Sequence, residues 1–114
     1  MNINLLYGIL FLALGHIGAF FQLNGQFKWD WFKTNEWVIA ACGVILSFFY
    51  IWGTKYTVAG MDGLLWPTRF IGFGIGMLVY ALLVGHFFSE GITTKTFVSL
   101  ALSILLICIN VFWK

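Results

Sequence analysis

Four apolar runs, each about 20 residues long, constrain this chain more than any other feature. A helix that crosses a bilayer needs about 20 mostly apolar residues. Residues 3–23, 36–53, 64–88 and 94–112 form such runs. The first carries one ionisable residue, His16, and the second none after Glu36. The third carries Arg69 near its start and His86 near its end, and the fourth none beyond Lys95. Inside hydrocarbon every backbone N–H and C=O must be paired within the chain, so only helices and closed barrels cross it. The runs lack the alternation of barrel strands. The expected fold is therefore all-α: a four-transmembrane-helix bundle, a polytopic integral membrane protein with one membrane domain over residues 1–114.

The supply of charge agrees. Only 9% of the 114 residues are charged and 61% are hydrophobic, whereas soluble domains carry about 25% charged residues. Such a chain cannot cover a water-facing surface with polar groups. That excludes an ordinary soluble domain, a disordered chain and a nucleic-acid binder. The first run does not read as a cleaved signal peptide: no basic residue precedes it, it is too long, and no small-x-small site follows. The lipid bilayer is the expected partner, and the cell (plasma or inner) membrane the expected location.

The connections are short. Residues 24–35 (NGQFKWDWFKTN) contain two tryptophans and are expected to lie along the interface. Residues 54–63 follow, with Gly60 and Gly63 as turn formers, and Ser89-Glu90-Gly91 makes a tight hairpin. Pro67 suits a first helical turn. Trp29, Trp31, Trp37, Trp52, Trp66 and Trp113 fall at or near span ends, where indole rings favour the headgroup level. With four spans, Lys55, Arg69 and Lys114 fall on one side and Lys28, Lys33 and Lys95 on the other. Cytoplasmic loops normally hold the excess of Lys and Arg. This tie leaves two readings open: orientation set by a subtler signal, or dual topology with antiparallel pairing.

Helices in lipid associate by close backbone approach, which small residues permit. Gly8, Gly15 and Gly18 supply this in the first span, Gly72 and Gly76 (GxxxG) in the third, and Ser99 and Ser103 in the fourth. Intrasubunit packing, a dimer seam and a flexible cavity wall are the three readings of these patterns.

Ionisable groups within spans are costly and by default mark function. His16 lies roughly 20 Å along its helix at about 1.5 Å per residue. It reads either as a hydrogen-bonded core histidine, with Ser47 or a backbone carbonyl as partner, or as a proton-handling or ligand group. Arg69 can snorkel to the surface, pair with Asp62, or stand at a cavity mouth and attract anions. Glu90 and Lys95 suit a surface pair. Cys42 and Cys108 differ by roughly 12 Å in depth, whereas bridged Cα atoms lie within about 7 Å, so both read as small apolar fillers.

No HExxH, CxxC, P-loop or G-x-S-x-G occurs, and Gly72-Phe73-Gly74-Ile75-Gly76 lies inside an apolar helix rather than in a nucleotide loop. Neither catalysis nor a cofactor or metal is expected. The run Gly85-His86-Phe87-Phe88-Ser89-Glu90, followed by a short turn and a last helix ending at Ile109-Asn110, resembles the small multidrug resistance family within the drug/metabolite transporter superfamily. The resemblance implies four packed helices, antiparallel dimers and transport. That family uses a Glu in the middle of its first helix. The matching region here is Leu14-Gly15-His16-Ile17-Gly18, without a carboxylate, so the resemblance implies a fold more than an activity.

Three functions fit. The first is movement of a small solute through a cavity lined by His16, Trp66, Arg69, Gly72 and Gly76. The second is a non-catalytic accessory subunit that packs against and stabilises a larger membrane complex. The third is a holin-like pore-former. A homodimer or a subunit of a membrane complex is expected in each case.

Overall fold

A computed structural model describes residues 3–113, and every regular element among them is helical. The order is α1 (Ile3–Asn24), a 3-10 turn (Gly25–Phe27), α2 (Asp30–Thr34), α3 (Glu36–Ala41), α4 (Gly43–Gly60), α5 (Leu65–Phe87) and α6 (Thr94–Phe112). Helices α3 and α4 run on as one span, so four spans are long and apolar enough to cross a membrane. The chain is an all-α, four-helix integral membrane protein.

The helices pack in the spatial order α4, α1, α5, α6. The seam between α1 and α4 is antiparallel and even in register. A Cβ added at Gly8 would lie 2.6 Å from the Thr57 backbone nitrogen, and one at Gly53 would lie 3.0 Å from that of Leu12. Gly60 meets Leu5, Gly15 meets Tyr50, and Gly18 meets Leu46 in the same way. Lipid offers these helices no hydrophobic drive toward one another, so close approach is what holds them. The Thr57 hydroxyl is fully buried without a hydrogen-bond partner. Gly8 aims its Cα–H at that oxygen, a weak contact of about 0.5–1 kcal/mol.

Helices α1 and α5 run parallel, with Leu5 and Leu12 packed among Ile71 and Ile75 and Phe21 edge-on to Phe87, 5.2 Å between centroids. Helix α6 rests on α5 at Gly74, where an added Cβ would sit 2.9 Å from the Ser103 carbonyl oxygen. Ser103 is buried there, whereas Ser99 is exposed and donates to the Lys95 carbonyl.

Two boundaries differ from the sequence expectation. The second span runs on to Gly60 instead of ending at Gly53. Residues 54–60 look polar enough for a loop, but Gly53, Thr57 and Gly60 continue the face that meets α1, while Lys55 lies over the Tyr56 ring. Gly60 is thus a packing residue rather than a turn former, and Trp52 sits about two turns inside the helix. The turn falls at 61–64, where Asp62 and Gly63 take positive φ. The same span also breaks at Cys42, where the Gln22 amide donates to the Ile39 carbonyl at 3.3 Å.

The 24–35 connection folds back as a short turn and helix α2. Lys28 Nζ donates to the Phe87 carbonyl at 2.7 Å, satisfying the end of α5. Trp29 packs on Phe21, Phe32 and Phe87. Thr93 caps α6 by accepting from the Thr96 N–H.

Candidate functional site

Three spans leave a groove between them. Helix α1 supplies Leu12 and His16, α4 supplies Tyr50 and Thr54, and α5 supplies Thr68, Arg69, Gly72 and Phe73. Its volume is about 440 Å³, within the range of about 300–1,000 Å³ typical of small-molecule sites.

The groove exists because α4 and α5, both packed on α1, hardly meet each other. Gly72 helps to keep it open, since an added Cβ there would meet nothing within 4 Å. Gly76, one turn further, lies against the His16 ring instead, 2.8 Å from an added Cβ to Cε1. The two glycines of the GxxxG pair therefore do different things. One accommodates an imidazole, and the other leaves space.

Of the two partners expected for His16, the Ser47 hydroxyl does not bond to it, whereas a backbone carbonyl, that of Gly72, does. Ser47 Oγ donates to the Gly43 carbonyl in its own helix at 2.8 Å, a common fate of serine in a helix. Tyr50 takes that place, its hydroxyl 3.4 Å from His16 Nδ1 and its ring edge-on to the imidazole. The Gly72 carbonyl also faces the imidazole.

Arg69 sits about one turn into α5, and its guanidinium lies over the Phe73 ring, 4.6 Å from the centroid. Phe73 is one turn further from the helix start, so the head group turns along the groove rather than back to the headgroups beyond Leu65. Asp62 lines a different cavity, beside Leu5, Pro67 and Trp113. Among the described residues, no carboxylate lines the Arg69 groove. Stacking on an aromatic contributes about 0.5–2 kcal/mol. Insertion scales put an arginine at the helix centre at about 2.5–3.5 kcal/mol, so stacking offsets only part of such a cost.

The structure thus brings together His16, Arg69, Gly72 and Gly76. Trp66 stands apart: it is 74% exposed and stacks on Phe70 at 5.7 Å, outside the groove. Gly8, Gly15 and Gly18 serve the α1–α4 seam. His86 lies against the Phe87 ring, ten residues beyond the level of His16 and Gly76, or about 15 Å at ~1.5 Å per residue. Both cysteines are free and exposed.

Compared with protein-family models, curated proteins and solved structures, the chain matches none. The groove has to be read from its own chemistry. Sequence reasoning missed Tyr50, Thr54 and Thr68. The signal was present as spacing: Tyr50 and Thr54 are four apart and so share a helix face, as do Thr68 and Gly72.

Proposed function

We propose that this chain is a small transporter-like membrane protein that moves a small solute through the groove between α1, α4 and α5. One observation carries the reading. The groove gathers a guanidinium, an imidazole, a phenol and two threonine hydroxyls inside a chain that is otherwise almost wholly apolar. Polar groups in spans are expensive, and substrate paths are where they are retained. The resemblance to small multidrug resistance transporters supports the same reading. Without a first-helix carboxylate, proton-coupled export of cations is not part of it.

The groove is open along one side, so a second membrane surface is needed to enclose a solute. A homodimer supplies one. A larger complex supplies the other, and in that case the chain is an accessory subunit. The location proposed is the cell membrane.

Flux in reconstituted vesicles tests the proposal, with inorganic phosphate, acetate, glycine and tetraphenylphosphonium as probes. His16→Ala and Arg69→Ala should each lower the flux of a carried probe while leaving folded, monodisperse protein. Unchanged flux in both variants removes the groove as the path. Copurification with other membrane proteins in fixed stoichiometry, with no flux of any probe, favours the accessory role.

A further inference from the structure

Arg69 is a cationic side chain on a spanning helix, and among the described residues no carboxylate lines its groove to neutralise it. The Phe73 ring lies against the guanidinium, 4.6 Å from Cζ to its centroid, and Arg69 lines the groove. A guanidinium edge is a planar fork of donors that matches carboxylate and phosphate oxygens two at a time.

The neighbours extend this preference. The Tyr50 hydroxyl and His16 Nδ1 stand 3.4 Å apart, long for an O–H···N bond, and the imidazole is already bonded to the Gly72 carbonyl, so it is the Tyr50 hydroxyl that keeps capacity for a ligand atom. Thr54 is exposed on the groove wall. The Thr68 hydroxyl already donates to the Leu64 carbonyl at 3.1 Å and offers only lone pairs. Gly72 leaves open space beside Arg69, where a Cβ would narrow the approach.

We infer that the groove binds an oxyanion, a carboxylate or a phosphate, held by the Arg69 guanidinium with the Tyr50 and Thr54 hydroxyls completing its hydrogen bonds. A cation placed there would meet Arg69 and no compensating carboxylate. The inference rests on the groove proposed above as the transport path, but binding and transport can fail separately. The oxyanion comes from water or from the headgroup of an anionic lipid, which can reach Arg69 about one turn inside the span.

The test uses the whole chain in nanodiscs. In phosphatidylcholine discs, inorganic phosphate is titrated and followed by phosphorus NMR. In discs containing phosphatidylglycerol, retention of that lipid is followed by native mass spectrometry. Saturable binding is expected in at least one arm, competed by acetate or sulfate and not by tetraphenylphosphonium. Phosphate binding identifies a free anion as ligand. Retained phosphatidylglycerol, with no phosphate binding in the phosphatidylcholine discs, identifies the headgroup. Arg69→Gln should weaken the interaction at least about tenfold, Arg69→Lys should fall between, and Cys108→Ala on α6 should match the wild type.

The inference is overturned if the wild type binds in neither arm, if tetraphenylphosphonium competes, or if folded Arg69→Gln binds as well as wild type. Should Arg69→Gln fail to fold, the wild-type competition series still decides. Flux without oxyanion binding sinks this inference and leaves the transport path. Oxyanion binding without flux of any probe does the reverse.

Discussion

The two helix seams that flank α1 and α5 are built on different terms. Between α1 and α4, glycines on both helices interlock along almost the full length, from Leu5 beside Gly60 to Gly18 beside Leu46. Between α5 and α6 a single glycine, Gly74, makes the close approach, against Ile107 and Ser103. Beyond it the helices part around a cavity of about 390 Å³ that reaches Glu90 and Lys95. The first seam is a rigid pair that can hold His16 and Tyr50 in fixed relation. The second is a contact pinned at one close approach. In a bilayer, where side chains gain nothing by leaving lipid for one another, the number of close backbone approaches decides which pairs of helices move together.

That contrast can be broken by adding single methyl groups. Gly8→Ala should have the largest effect, because its Cβ would meet the Thr57 backbone at 2.6 Å, which cannot give way without moving the helix. A loss of about 2–3 kcal/mol is expected from overpacking, read as a lower folded fraction in a detergent unfolding titration. Gly74→Ala should cost less, about 1–2 kcal/mol, because part of the clash falls on the flexible Ile107 side chain. It should loosen α6 and leave the α1–α4 pair intact, which crosslinking between cysteines placed on each pair would report. Lys28→Met removes the side chain that satisfies the Phe87 carbonyl and should cost about 0.3–1 kcal/mol in the same titration. Gly85→Ala sharpens the contrast from the other end. Its Cβ would meet nothing within 4 Å, so stability should hold or rise by up to about 1 kcal/mol.

Gly8, Gly74 and Gly85 look alike in the sequence, and that is why the spans were legible and the site was not. The number of crossings follows from apolar length alone, and α6 begins and ends at the expected residues, Thr94 and Phe112. A glycine within a span, however, signals either close approach or empty space, and only the position of a neighbouring helix distinguishes them. Gly60 reads as a turn until the Leu5 backbone is seen beside it. Arg69 and His16 were identifiable because charge and imidazole are rare in spans. Tyr50 and Thr54 were obscured by an aromatic-rich helix whose end was expected near Gly53. Trp66 lies three residues before Arg69, a spacing that shares a helix face, yet in the exposed first turn of α5 its ring stacks on Phe70 and does not line the groove.

A solute path through the groove between α1, α4 and α5 requires that the groove admit water within the span. Thr54 and Leu82 lie at similar depths, six and five residues from the ends of α4 and α5, or about 8–9 Å at ~1.5 Å per residue. Thr54 lines the groove, whereas Leu82 is 74% exposed on the helix surface. In a Cys42→Ser, Cys108→Ser background, Thr54→Cys and Leu82→Cys would be compared for labelling by a membrane-impermeant maleimide in vesicles opened to the reagent on both faces. The account predicts at least tenfold faster labelling at Thr54. Equal rates, or faster labelling at Leu82, would contradict it.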